Sequence, residues 1–121
     1  MARGNHRWYI ADAYIPPLST PPAVSHESIC VLNESDANAE LTLTVYYADR
    51  EPEESDVIVV PARRDMHMRT SIPDQVGGLQ LRSDVPYGIV IASDAMLHIQ
   101  YSRCDSTQPA YTLMTAALCL Q

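Results

Sequence analysis

Apolar and polar residues alternate along most of this chain, and alternation is the period of a strand, not of a helix. The clearest stretch is Ala39–Tyr47. Ala39, Leu41, Leu43, Val45 and Tyr47 share one face there, and Glu40, Thr42, Thr44 and Tyr46 the other. Its Thr, Val and Tyr content suits a half-buried strand. Glu27–Asn33 reads as the strand before it, and Glu34–Asn38 supplies the Ser, Asp and Asn that would make the two a hairpin. Trp8–Ala13, Asp56–Val60, Asp65–Arg69, Gly88–Ser93 and Met96–Arg103 are further strands, the last two joined across Asp94-Ala95 by a tight antiparallel connection. Pro16-Pro17, Pro21-Pro22, Pro52, Pro61, Pro73, Gly77-Gly78 and Pro86 punctuate them. In the C-terminal Ala110–Leu120, Ala, Leu and Met favour helix, whereas Tyr111, Leu113 and the Thr-containing run favour a strand; we read a strand. Short strands separated this often by turns predict an all-β fold, an antiparallel β-sandwich with little helix.

The chain has 121 residues, room for a single domain spanning 1–121, with 1–7 a flexible tail and 107–121 a closing strand or tail. Its longest connection, Tyr14–Ser25, is Pro-rich and a candidate rim or lid. Charge narrows the partners. Eight basic residues, all Arg, face 15 acidic ones for a formal net charge of −7, which argues against a dedicated nucleic-acid binder. Cys30, Cys104 and Cys119 are odd in number and lack CxxC spacing, and Met1–Arg7 carries no signal-peptide core. A cytoplasmic protein with reduced thiols is the simplest expectation, and Cys30, in an apolar strand, reads as core.

Polar chemistry gathers in three places: Ser25-His26-Glu27, then Arg63-Arg64 with His67 and Arg69, then His98, Gln100, Arg103 and Asp105. Alternation puts His67 and Arg69 on one face of their strand. In the next group His98, Gln100 and Ser102 oppose Leu97, Ile99, Tyr101 and Arg103. No GxSxG elbow, Gly-rich phosphate loop, HExxH or ligand-spaced Cys/His pair is present, so neither catalytic nor metal-ligating residues, and no cofactor, are assigned.

Taken in order, Trp8, Tyr14-Ile15-Pro16-Pro17, Ser25-His26-Glu27, Cys30-Val31-Leu32-Asn33, Tyr46-Tyr47, Pro61-Ala62-Arg63-Arg64, His67, Arg69, Gln100 and Arg103-Cys104-Asp105-Ser106 resemble the sensory rhodopsin transducer family over roughly Trp8 to Ala117. The resemblance implies a compact β-sandwich assembled as a cyclic homotetramer, a cytoplasmic module binding a sugar or sugar-like molecule, and a membrane photoreceptor or other signalling protein as partner. It marks Trp8, His26, Glu27, Arg64, His67, Arg69, Gln100, Arg103 and Asp105 as ligand-binding residues. In that reading Trp8 is an apolar plate, the arginines donate to ligand oxygens, and Glu27 and Asp105 accept hydroxyl hydrogens.

Two other readings are open: a carbohydrate-active enzyme with Glu27 or Asp105 as acid or base, and a purely structural oligomer. The binding reading predicts that His67, Arg69, Gln100, Arg103 and Asp105 converge on one cleft, with Trp8, His26 and Glu27 at its mouth. A bulge near Ser102 would bring Gln100 and Arg103 together, and Arg103 would pair with Asp105 or Glu27.

Overall fold

The computed structural model describes residues 6–110 and 112–118. Strands β1 (His6–Ala13), β2 (His26–Asn33), β3 (Ala39–Tyr46), β4 (Glu53–Glu54), β5 (Ile58–Val60), β6 (Arg64–Arg69), β7 (Tyr87–Ser93), β8 (His98–Asp105) and β9 (Thr112–Leu118) form two antiparallel sheets. The first sheet runs β1-β7-β3-β4, with β5 also on β3; the second runs β6-β2-β8-β9. The fold is the expected all-β sandwich. Its helical content among the described residues is one 3-10 turn, Pro73–Gln75, and no described helix is long and apolar enough to cross a membrane.

Strand alternation builds the core directly. Trp8 and Ile10 from β1, Leu41, Leu43 and Val45 from β3, and Ile89 and Ile91 from β7 face Ile29 and Val31 from β2, Met68 from β6, and Ile99 and Tyr101 from β8. Each such side chain contributes about 1.5–3 kcal/mol on burial. Behind β4, Gly77 sits at φ 63°, and a Cβ there would lie 2.7 Å from the Asp56 carbonyl oxygen, so the Gly77-Gly78 turn is closed to other residues.

Three expectations are corrected. Glu34–Asn38 does not close a hairpin: β2 pairs with β6 and β8, and β3 with β4, β5 and β7. The segment climbs between sheets because the buried Asn33 amide donates to the carbonyls of Ala37, Val60 and Pro61 at 3.0, 3.1 and 3.2 Å. Asp94-Ala95 also switches sheets. Its Asp94 exchanges hydrogen bonds with the Glu40 main chain of β3, at 2.9 and 3.1 Å, before β8 begins on the other side. Finally, the strand starts within the expected tail, with His6 and Arg7 paired to Ser93 and Ala92.

Candidate functional site

The site is organised on the β2–β8 ladder, where Glu27 opposes Arg103 and His26 opposes Cys104. Pairing is continuous from His26↔Cys104 to Leu32↔His98, with no bulge near Ser102. Consecutive residues therefore point to opposite faces, and the candidate residues divide accordingly.

Inward, Glu27 is fully buried. Its Oε2 accepts from Arg103 Nε and from the Tyr14 main-chain N–H, both at 2.8 Å, and its Oε1 accepts from the Tyr87 hydroxyl at 2.9 Å. Arg103 Nη2 donates to the carbonyl and carboxylate oxygens of Asp12 at 3.2 and 3.3 Å, and the guanidinium lies 5.9 Å from the Tyr14 ring centre. Burial opposes charge on Arg103, but its bonds to Glu27 and Asp12 outweigh that and hold its pKa above the ordinary value. The Tyr87 hydroxyl is pushed well above its usual range by burial and by the Glu27 charge. Tyr101 is shifted the same way, by burial first and then by the neighbouring Glu27 carboxylate.

Outward, β2 carries His26, Ser28 and Cys30, β6 carries Asp65, His67 and Arg69, and β8 carries His98, Gln100, Ser102 and Cys104. Across the strands, Cys30 lies between His67 and Gln100, and Ser28 between Arg69 and Ser102. His67 Nε2 sits 2.9 Å from Asp65, and His98 Nε2 3.1 Å from Glu34. Cys30 is half-buried on this face and not in the core; burial and then the Asp65 charge raise its thiol pKa, the signature of an unreactive thiol. At the His26 end a groove of about 350 Å³ is lined by His26, Ser102, Arg103, Cys104, Leu113 and Met114. Of these, Met114 also packs against the core and Arg103 binds Glu27.

The expected single cleft is thus overturned. His26, His67, Arg69 and Gln100 share the outer face of the second sheet, while Glu27 and Arg103 pair behind it. Asp105, on the inward side of β8, accepts from the Thr107 N–H at 3.0 Å, and the Thr107 hydrogen bonds lower its pKa. Arg64 begins β6 exposed, donating to the Arg63 carbonyl. Trp8 is 1% exposed within the other sheet and cannot serve as a plate at a cleft mouth; its alternation with Ile10 sends it into the core.

Sequence reading also missed a latch. Ser106 is buried, accepts from the Thr20 N–H at 3.3 Å and donates to the Ala23 carbonyl at 2.9 Å. Its N–H donates to Ser25 Oγ at 2.9 Å, and that hydroxyl donates to the Leu18 carbonyl at 2.6 Å. Serines fit a solvated turn equally well, so only the fold reveals this partnership. Among the described residues, no three His, Cys, Asp or Glu are grouped to hold a metal ion.

These features define a class: a small β-sandwich module with a ligand-sized groove on one sheet face and a buried ion pair behind it. Residues 3–119 match the family described as Anabaena sensory rhodopsin transducer, and the chain belongs to that family. Among solved structures, it superposes on "Crystal Structure of Thermotoga maritima 1070" with a TM-score of 0.83 at 29% identity, covering 96% of this chain and 94% of that one. It superposes on the Anabaena sensory rhodopsin transducer with a TM-score of 0.69 at 35% identity, covering 90% and 96%. A comparison with curated proteins gives no match.

Proposed function

We propose that this chain is a non-catalytic signal-transducing module that takes a small polar, sugar-like molecule in the groove of its second sheet and relays occupancy to a partner. The observation that carries the reading is the groove's position, at one end of a sheet face that also presents His67, Arg69 and Gln100. Ser102 and His26 offer hydroxyl partners there, and Leu113, 79% exposed, offers an apolar wall for the C–H face of a sugar ring. Its volume is at the small end of ligand pockets, which fits a monosaccharide and not a large cofactor. Glu27, the acid–base candidate, is fully buried with three donors already on its oxygens. The similarity to a sensory rhodopsin transducer supports a rhodopsin photoreceptor as partner, and the proposal includes a cytoplasmic location and a homotetramer.

The test is a thermal-shift and calorimetric screen of neutral sugars and sugar acids. A binder at about one hundred times its Kd adds roughly 2.7 kcal/mol of apparent stability. The expected result is a shift that His26→Ala and Ser102→Leu abolish, with the ligand recovered unchanged. A panel without binders, a shift insensitive to both variants, or a ligand that is turned over would each overturn the reading.

A further inference from the structure

Three successive positions along β2 and β8 do different jobs. Ser25 and Ser106, just beyond the ladder, hold the Pro-rich connection Tyr14–Ser25 through Leu18, Thr20 and Ala23. His26 and Cys104, the next pair, line the groove. Glu27 and Arg103, the pair after that, hold the other end of the same connection, through the Tyr14 N–H and the Asp12 main chain. Both ends of the connection are thus bonded to the residues on either side of the groove.

We infer that the Tyr14–Ser25 connection is not a lid but the output of the groove: an occupant that spreads His26 from Cys104 must disturb the Ser25–Ser106 latch on one side and the Glu27 clamp on the other. The inference builds on the groove being the binding site, and it adds the segment through which occupancy leaves the molecule. That segment is fitted for release. Beyond its start, where Ile15 and Pro16 are buried and the Ile15 carbonyl accepts from the Asp84 N–H at 2.8 Å, Pro17, Leu18, Pro21, Pro22 and Val24 stand exposed.

Cys104 allows the groove to be filled by a known chemical group. In a Cys30→Ala, Cys119→Ala background, N-ethylmaleimide alkylation of Cys104 adds a succinimide in the groove, and Ser102→Trp fills it without any reagent. Hydrogen exchange is then followed by mass spectrometry across the chain. Filling by either route is expected to accelerate exchange in the 14–25 segment about tenfold while β3 and β7 keep their protection. In Ser106→Ala the segment should already exchange fast at its Ser25 end, and filling should add little there. Unchanged exchange in a filled groove, or acceleration spread equally over β3 and β7, overturns the inference. A sugar screen without binders leaves this coupling standing. A confirmed groove ligand without coupling removes only the inference.

Discussion

Glu27 has no exposed side-chain surface, whereas Arg103 keeps 16% of its own and has Asp12 as a second partner. Removing one or the other is therefore not symmetrical. Arg103→Ala strands a carboxylate in the interior, and breaking a buried pair in this way costs roughly 3–5 kcal/mol. Glu27→Gln keeps the shape and leaves the guanidinium its contact with Asp12 and water, so the cost is about 1–3 kcal/mol. Urea unfolding of the two variants should rank them in that order, and the reverse order would show that the pair is held for a reason other than charge burial. At this scale the sequence was informative about residue type and uninformative about direction. That Arg103 would seek Glu27 or Asp105 followed from the cost of an unpaired charge. Trp8 is misplaced by the family resemblance, which marks it as a binding plate, although its alternation with Ile10 points inward. Tyr87 escaped notice because nothing local to it announces a glutamate sixty positions away.

Between strands, Asn33 shows how a link chooses its sheet. Its amide donates to three carbonyls, and its Oδ1 accepts from the Ser35 N–H and hydroxyl at 3.1 and 2.8 Å. Asn33→Asp turns a donor to three carbonyls into a carboxylate facing them, and should cost at least about 3 kcal/mol. The loss in thermal midpoint should shrink near pH 4, where the new carboxyl can hold a proton; an unaltered midpoint at pH 7 would remove Asn33 as the device that sends the chain across. Strand positions were legible in the sequence almost throughout, because alternation with β-branched and aromatic residues is a local property. Strand partners were not. The turn chemistry of Glu34–Asn38 and Asp94-Ala95 is real, but it specifies a change of direction without specifying which sheet receives the next strand.

For the molecule as a whole, the buried tyrosines set an alkaline limit. Tyr87 and Tyr101 are both held protonated in the fold, by burial first and the Glu27 carboxylate second, whereas in the unfolded chain they ionise at about pH 10. Above that value the unfolded state binds fewer protons than the folded one, so stability falls as pH rises. The urea midpoint should hold up to about pH 9.5 and then drop steeply, and Tyr87→Phe with Tyr101→Phe should flatten the drop. A drop equally steep in the double variant would assign it to general repulsion in this acidic chain. The sheet orders bear on an earlier stage of the protein's life. β1 pairs with β7, and β2 with β6 and β8. β7 lies between β1 and β3 in one sheet, and β8 between β2 and β9 in the other. During synthesis, therefore, β1 leaves the ribosome before its partner β7, and β2 and β3 emerge with one neighbour each, β8 and β7, still to come. Neither sheet can close until the residues of β7 and β8 have emerged, so folding comes late and nearly all at once. A message cut short before Tyr87 leaves β1 without its partner and one edge each of β2 and β3 open to aggregation.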